Sequence, residues 1–132
     1  MLILHPTRVS FAAEPWEDVT AISIDRSAQR EIIEWGELGP HAVFADVPEQ
    51  LVIIKVAMEL TRTMSGAPAP GDQGTLIFET GPTTSDGSRR TISALAVVRA
   101  ATHQLSRQKG AVRSVELIAI SLTGAADPIL IS

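Results

Sequence analysis

Three histidines, His5, His41 and His103, are the side chains of this chain best suited to proton transfer or metal binding. They fall in different segments, and none stands at the i, i+4 or His-x-Glu spacing that lets two ligands converge on zinc. Each reads as a surface or partly packed residue. Gly66 and Gly71 reproduce the outer glycine spacing of a phosphate loop, but Asp72 stands where a lysine must reach the phosphates. Pro68 and Pro70 also remove backbone donors, so the segment reads as a rigid exposed loop. Gly71 and Gly74 do not make a dinucleotide fingerprint, because a strand pattern follows them where a helix is needed. No Gly-x-Ser-x-Gly elbow is present. Asp72, Asp86 and Asp127 lack the alternating carboxylate spacing of a calcium loop. Asp86 with Gly87 suits a hairpin tip, and Asp127 before Pro128 starts a turn. The reading is therefore of a protein that is not an enzyme, with no catalytic residue, cofactor or metal site.

With no reaction centre in view, the question becomes what the chain builds. Its 132 residues are the length of one domain, expected as a single β-barrel or sandwich over residues 1–132. A hydrophobic fraction of 45% with 20% charged residues is globular rather than disordered. Mean hydropathy of +0.18 is high for an ordinary wetted surface, which points to apolar surface that meets partners. The net charge of −4 argues against a DNA-binding face, since phosphate binding is carried by clustered Lys and Arg. No cysteine is available for a disulfide or a thiolate site. No apolar run approaches the roughly 18 residues of a membrane span, so a soluble protein with no membrane contact is expected.

Strand patterns dominate. Residues 2–11, 16–24, 30–35, 41–46, 51–61, 75–80, 89–99 and 111–122 are rich in Val, Ile, Thr, Trp and Phe and are bounded by Gly, Pro, Asp or Ser. About eight such segments at regular spacing predict an all-β or mainly β fold, two packed antiparallel sheets forming a sandwich or barrel. Residues 19–25 alternate cleanly, and residues 30–35 are a candidate partner strand, with Ser27, Ala28 and Gln29 turning the chain between them. Residues 51–60 and 112–122 are apolar on both faces, as in a strand that is deeply buried or finished by a neighbouring subunit.

At most one short helix is expected. Residues 99–109 are good helix formers with Gly110 placed as a cap, although they also suit the end of a strand and its turn. Residues 49–60 are a rival helix after Pro48, but Val52, Ile53, Ile54 and Val56 are β-branched and favour a strand. Residues 64–74 and 80–88 are breaks dense in Gly, Pro, Ser and Thr. The first is long for a compact β domain, and a loop of that size between two strong strands is often functional or mobile. Trp16 and Trp35 read as core or interface anchors, since 4% aromatic content cannot build a stacking platform for nucleic acid.

Two stretches, WEDVTAISIDRSAQREIIEWGELGPHAVFADVPEQLVIIKVAMEL and KGAVRSVELIAISLTGAADPI, give the chain a resemblance to the bacteriophage tail tube proteins. These are similar in fold to the tube protein of type VI secretion systems. The shared features are an early strand pair, a Gly-Pro turn, a long strand, and a closing strand followed by a small-residue turn with Asp-Pro. The resemblance implies a structural virion protein whose copies form homo-hexameric rings that stack into a channel for DNA. It further implies assembly in the host cytoplasm, residence in the virion tail, and contacts with sheath, baseplate and terminator proteins. DNA would pass without specific binding, which suits an acidic subunit. On this reading the inter-ring contact loop is Met64, Ser65, Gly66, Ala67, Pro68, Ala69, Pro70, Gly71, Asp72, Gln73 and Gly74. The competing expectation is another β-rich virion component: a baseplate, tail-terminator or capsid-decorating protein that forms single rings or trimers. A third is a monomeric ligand-binding barrel.

Overall fold

The computed structural model describes residues 1–59, 68–80, 89–106 and 110–132. Nine strands account for most of them: β1 (Leu2–Leu4), β2 (Thr7–Phe11), β3 (Glu14–Pro15), β4 (Val19–Trp35), β5 (Ala42–Glu59), β6 (Gln73–Glu79), β7 (Thr91–Ser106), β8 (Gly110–Ala119) and β9 (Leu130–Ile131). No helix occurs among the described residues. The mainly β expectation holds. All pairings are antiparallel and join the strands into one sheet, in the order β1-β4-β5-β8-β7-β6-β2-β3, with β9 added to β7. The sheet is open, because β1 and β3 at its two ends do not pair with each other.

Side chains alternate between two faces along every strand, and one face makes the core. Ile22 and Ile24 of β4, Val52, Ile54, Val56 and Met58 of β5, Leu76 and Phe78 of β6, Ala96 and Val98 of β7, and Val115 and Leu117 of β8 form one buried cluster. Ile3 from the first strand of the sheet order and Val9 and Phe11 from near its other end belong to that same cluster. Without a helix layer, a single sheet can remove one face from water only by coiling over itself, as the right-handed twist of its strands favours. Trp16 closes the cluster beside Phe11, with ring centroids 5.2 Å apart.

Three local expectations are corrected. Ser27, Ala28 and Gln29 do not turn the chain: β4 runs on through them, with Ser27 opposite Leu51 and Ala28 opposite Gln50. Its partner is β5, which unites the segments read as 41–46 and 51–61. Residues 99–109 are not a helix over their described part, because β7 continues to Ser106. Ala101 lies opposite Val115 and Thr102 opposite Ser114, so ladder pairing overrides the helical propensity of the alanines. The β-branched residues of 49–60 do form strand, as expected, up to Glu59.

Candidate assembly surface

The strands β4 and β5 are far longer than the typical five or six residues, and the excess projects as an arm. β1 pairs with β4 at Ala21, Ile22 and Ser23, with Met1 bonded on to the Ile24 backbone, and β8 pairs with β5 from Ile53 to Glu59. Beyond those points, over residues 25–35 and 42–51, β4 and β5 pair with each other and, among the described residues, with no other strand. The arm is thus a two-stranded ribbon about 33 Å long with both backbone edges open.

Its side chains are exposed, and many are apolar. Ile33 faces Ala45 across the ladder, Val43 and Val47 alternate with Ala45 along β5, and Trp35 pairs with Ala42 beyond a register shift. Trp35 is 65% exposed and Val43 71%. The opposite face carries Ile32 and Phe44 beside Asp46 and Glu34. Leu38, in the turn that joins the strands, is fully exposed. Gly36 in the same turn is held close to β5, where an added Cβ would meet Val43 Cγ1 at 2.8 Å. Pro48 fits the ribbon because it lies at a register shift, where Arg30 pairs with Glu49 and Ile32 with Asp46. An isolated two-stranded ribbon is marginal in water, and apolar side chains on both of its faces make it a surface that gains stability from contact.

The base of the arm is fixed to the C-terminal segment. Arg26 donates two hydrogen bonds, Nη1 and Nη2, to the two carboxylate oxygens of Asp127, each at 3.1 Å. The Ile129 N–H donates to Asp127 Oδ1 at 3.0 Å. That backbone donor, reinforced by the guanidinium, holds the carboxyl below its usual pKa. Between arm and C-terminal segment lies an open cleft of about 550 Å³ lined in part by Gln50, Val52, Ala119 and Pro128.

Of the loop singled out in the sequence, Met64, Ser65, Gly66 and Ala67 lie outside the described residues. Ala69 and Asp72 close a tight turn: the Asp72 N–H donates to the Ala69 carbonyl at 3.0 Å and the Ala69 N–H to the Asp72 carboxylate at 2.9 Å. Gly71, with φ of 98°, supplies the left-handed step. Gly71 N–H donates to the Val98 carbonyl and Val98 N–H to the Asp72 carbonyl, each at 2.8 Å, so this end of the loop is clamped to β7. Gln73 and Gly74 already belong to β6.

The histidines remain apart. His5 and His41 are exposed, and His103 Nε2 accepts a hydrogen bond from Arg113 Nε at 2.8 Å. Among the described residues no group of three His, Asp or Glu is placed to hold a metal ion. Trp16 is a core residue and Trp35 a surface one, which splits the pair that the sequence read alike. Arg8 meets Glu79 at 3.5 Å. The arm itself is the element that sequence reasoning missed. Its signal was the stretch from Val19 to Glu59, where the Gly36, Gly39 and Pro40 cluster is the strongest break. No protein-family model matches the chain, and no curated protein matches it.

Proposed function

We propose that this chain is a structural subunit that associates with its own copies, as homo-hexameric rings stacked into a bacteriophage tail tube through which DNA passes. The observation that carries the reading is the arm: a ribbon of residues 25–50 with two open edges and Ile33, Trp35, Val43 and Phe44 in solvent. Such a ribbon in a monomer is an aggregation hazard, whereas in a symmetric assembly each copy covers the edges of the next. The open sheet supports the same reading, since the strands at its ends offer further edges for pairing between copies. The acidic balance suits a passage that DNA traverses without sticking. In this role the subunit needs no catalytic group, cofactor or metal, and its partners beyond its own copies are sheath, baseplate and terminator proteins of the virion.

The 64–74 loop serves as a second contact between rings, with its clamped base at Val98 giving it a fixed origin on the sheet. Size-exclusion chromatography with light scattering, followed by negative-stain microscopy, tests the assignment. Stacked rings support it. Isolated rings or trimers point to a baseplate, terminator or decorating protein, and a monomer at high concentration removes self-assembly altogether.

A further inference from the structure

Two hairpins of this chain differ in the sign of their charge. Within the arm, Asp25, Glu31, Glu34, Glu37, Asp46 and Glu49 stand against Arg26 and Arg30, which places the chain's entire net charge of −4 in this one element. Arg30 lies 3.9 Å from Glu49 and Arg26 is held by Asp127, while Glu31, Glu34 and Glu37 make no ion pair among the described residues. The second hairpin has the opposite sign. From Arg99 to Arg113 the sequence contains Arg99, Arg107, Lys109 and Arg113 and no carboxylate; Arg99 is exposed, Arg113 is buried on β8 and donates to His103, and residues 107–109 lie outside the described ones.

The topology sets these two hairpins at opposite ends of the sheet. β5 runs from the arm into the body and finishes at Glu59, opposite Val112 of β8, whereas Ile53 lies opposite Ile118. Gly110 of β8 and its partner Ser106 of β7 therefore lie at the end of the sheet remote from the arm. β7 also offers an edge there. Its pairing with β6 ends at Val97, and backbone bonds to residues 71 and 72 carry the contact only to Val98. From Ala100 to Ser106, β7 pairs with β8 on one side and, among the described residues, with no strand on the other. Arg99, Thr102, His103 and Gln104 are exposed along this stretch.

We infer that the acidic arm of one copy docks on the basic outer edge of β7 in the next copy, as an added strand. The two elements complement each other in charge, in open backbone groups and in position at opposite ends of one subunit. The contact is heterologous: it leaves an unused arm at one end of a pair and an unused edge at the other, so that copies add head to tail until a ring closes or a stack is completed. Apolar side chains of the arm are then covered as well. This inference rests on the self-assembly reading above and names the two surfaces that it joins.

The absence of cysteine makes the contact directly readable by cross-linking. Two single variants, Glu34→Cys on the arm and Thr102→Cys on the β7 edge, are mixed in equal amounts under assembling conditions and treated with a short bismaleimide. The expected product is the mixed dimer of the two variants, with each variant alone giving little dimer. Independently, Arg99→Glu weakens association by about tenfold or more, and adding Glu34→Arg and Glu37→Arg to the same chain restores it. Dimers of Glu34→Cys with itself would overturn the inference in favour of arm-to-arm contact. Assembled particles that yield no mixed dimer would also overturn it, while leaving self-assembly intact. Light scattering that finds only monomers at every concentration would remove both.

Discussion

Arg26 and Asp127, 101 residues apart in the chain, meet in a two-pronged ion pair with both N–O distances at 3.1 Å. Arg26 sits where β4 leaves the body to become the arm, and Asp127 sits in the segment that leads to β9. The planar guanidinium matches both carboxylate oxygens at once, which fixes direction as well as distance. The pair joins the C-terminal segment of the chain to the root of the arm.

Replacement of this carboxylate changes the arm more than the body. Both partners are about half exposed, so Asp127→Asn costs at most about 1 kcal/mol in global stability. Amide exchange at residues 25–30 quickens, while exchange at Ile54 and Leu117 stays slow. The pH dependence has a definite sign. The carboxyl is held below its ordinary value of 3.8, so its stabilisation is present above that value and is lost as pH falls through the lowered one. Exchange of the wild-type arm root measured from pH 6 down to pH 2 should show that loss, and the Asp127→Asn variant should not.

The two-residue turn between β2 and β3 stores strain that can be relieved. Ala12 and Ala13 have φ of 52° and 67°, and Ser10 and Phe11 pair with Pro15 and Glu14 on either side of them. Both central residues thus adopt the left-handed conformation that hairpin turns of this length require and that Asn-Gly tolerates best. The double change Ala12→Asn with Ala13→Gly is expected to stabilise by about 1–2 kcal/mol in denaturant melts. Gly74→Ala has the opposite effect, since its Cβ would lie 2.6 Å from that of Ala12 and 3.0 Å from the Ala12 Cα.

Core and arm substitutions separate folding from assembly. Leu117 is fully buried, and Leu117→Ala costs about 2–5 kcal/mol of stability. Trp35→Ser removes a large apolar side chain that the subunit does not bury. It leaves the melting midpoint within about 0.5 kcal/mol of wild type and reduces the assembled fraction at a given concentration. A drop in melting temperature comparable to that of Leu117→Ala would mean that the arm belongs to the core.

Much of the strand content was legible from alternation, and its grouping was less so. Ile22 and Ile24, Ile54 and Val56, and Val115 and Leu117 follow a period of two that burial on one sheet face produces directly. The single strand β4 reads as two because Ser27, Ala28 and Gln29 are poor strand formers, and the pairing of Ser27 with Leu51 and of Ala28 with Gln50 is a long-range fact. Ala100 and Ala101 carried a helical signal that the ladder to Val115 and Glu116 overrode. β9, two residues beside Ile92 and Ser93, is too short to leave a pattern. The arm shows the limit most plainly: Ile33 and Trp35 have the same residue types as a buried strand, and only the lengths of β1 and β8 leave them uncovered.

The most direct test of the central claim is the mass of the purified chain in solution as a function of concentration, read by light scattering and checked by negative-stain images. Masses several times the 14.1 kDa subunit, with rings stacked into tubes and the arm variant Trp35→Ser falling short of them, are predicted. A particle that stays at one subunit mass up to high concentration, with its arm amides already protected from exchange, would contradict the account.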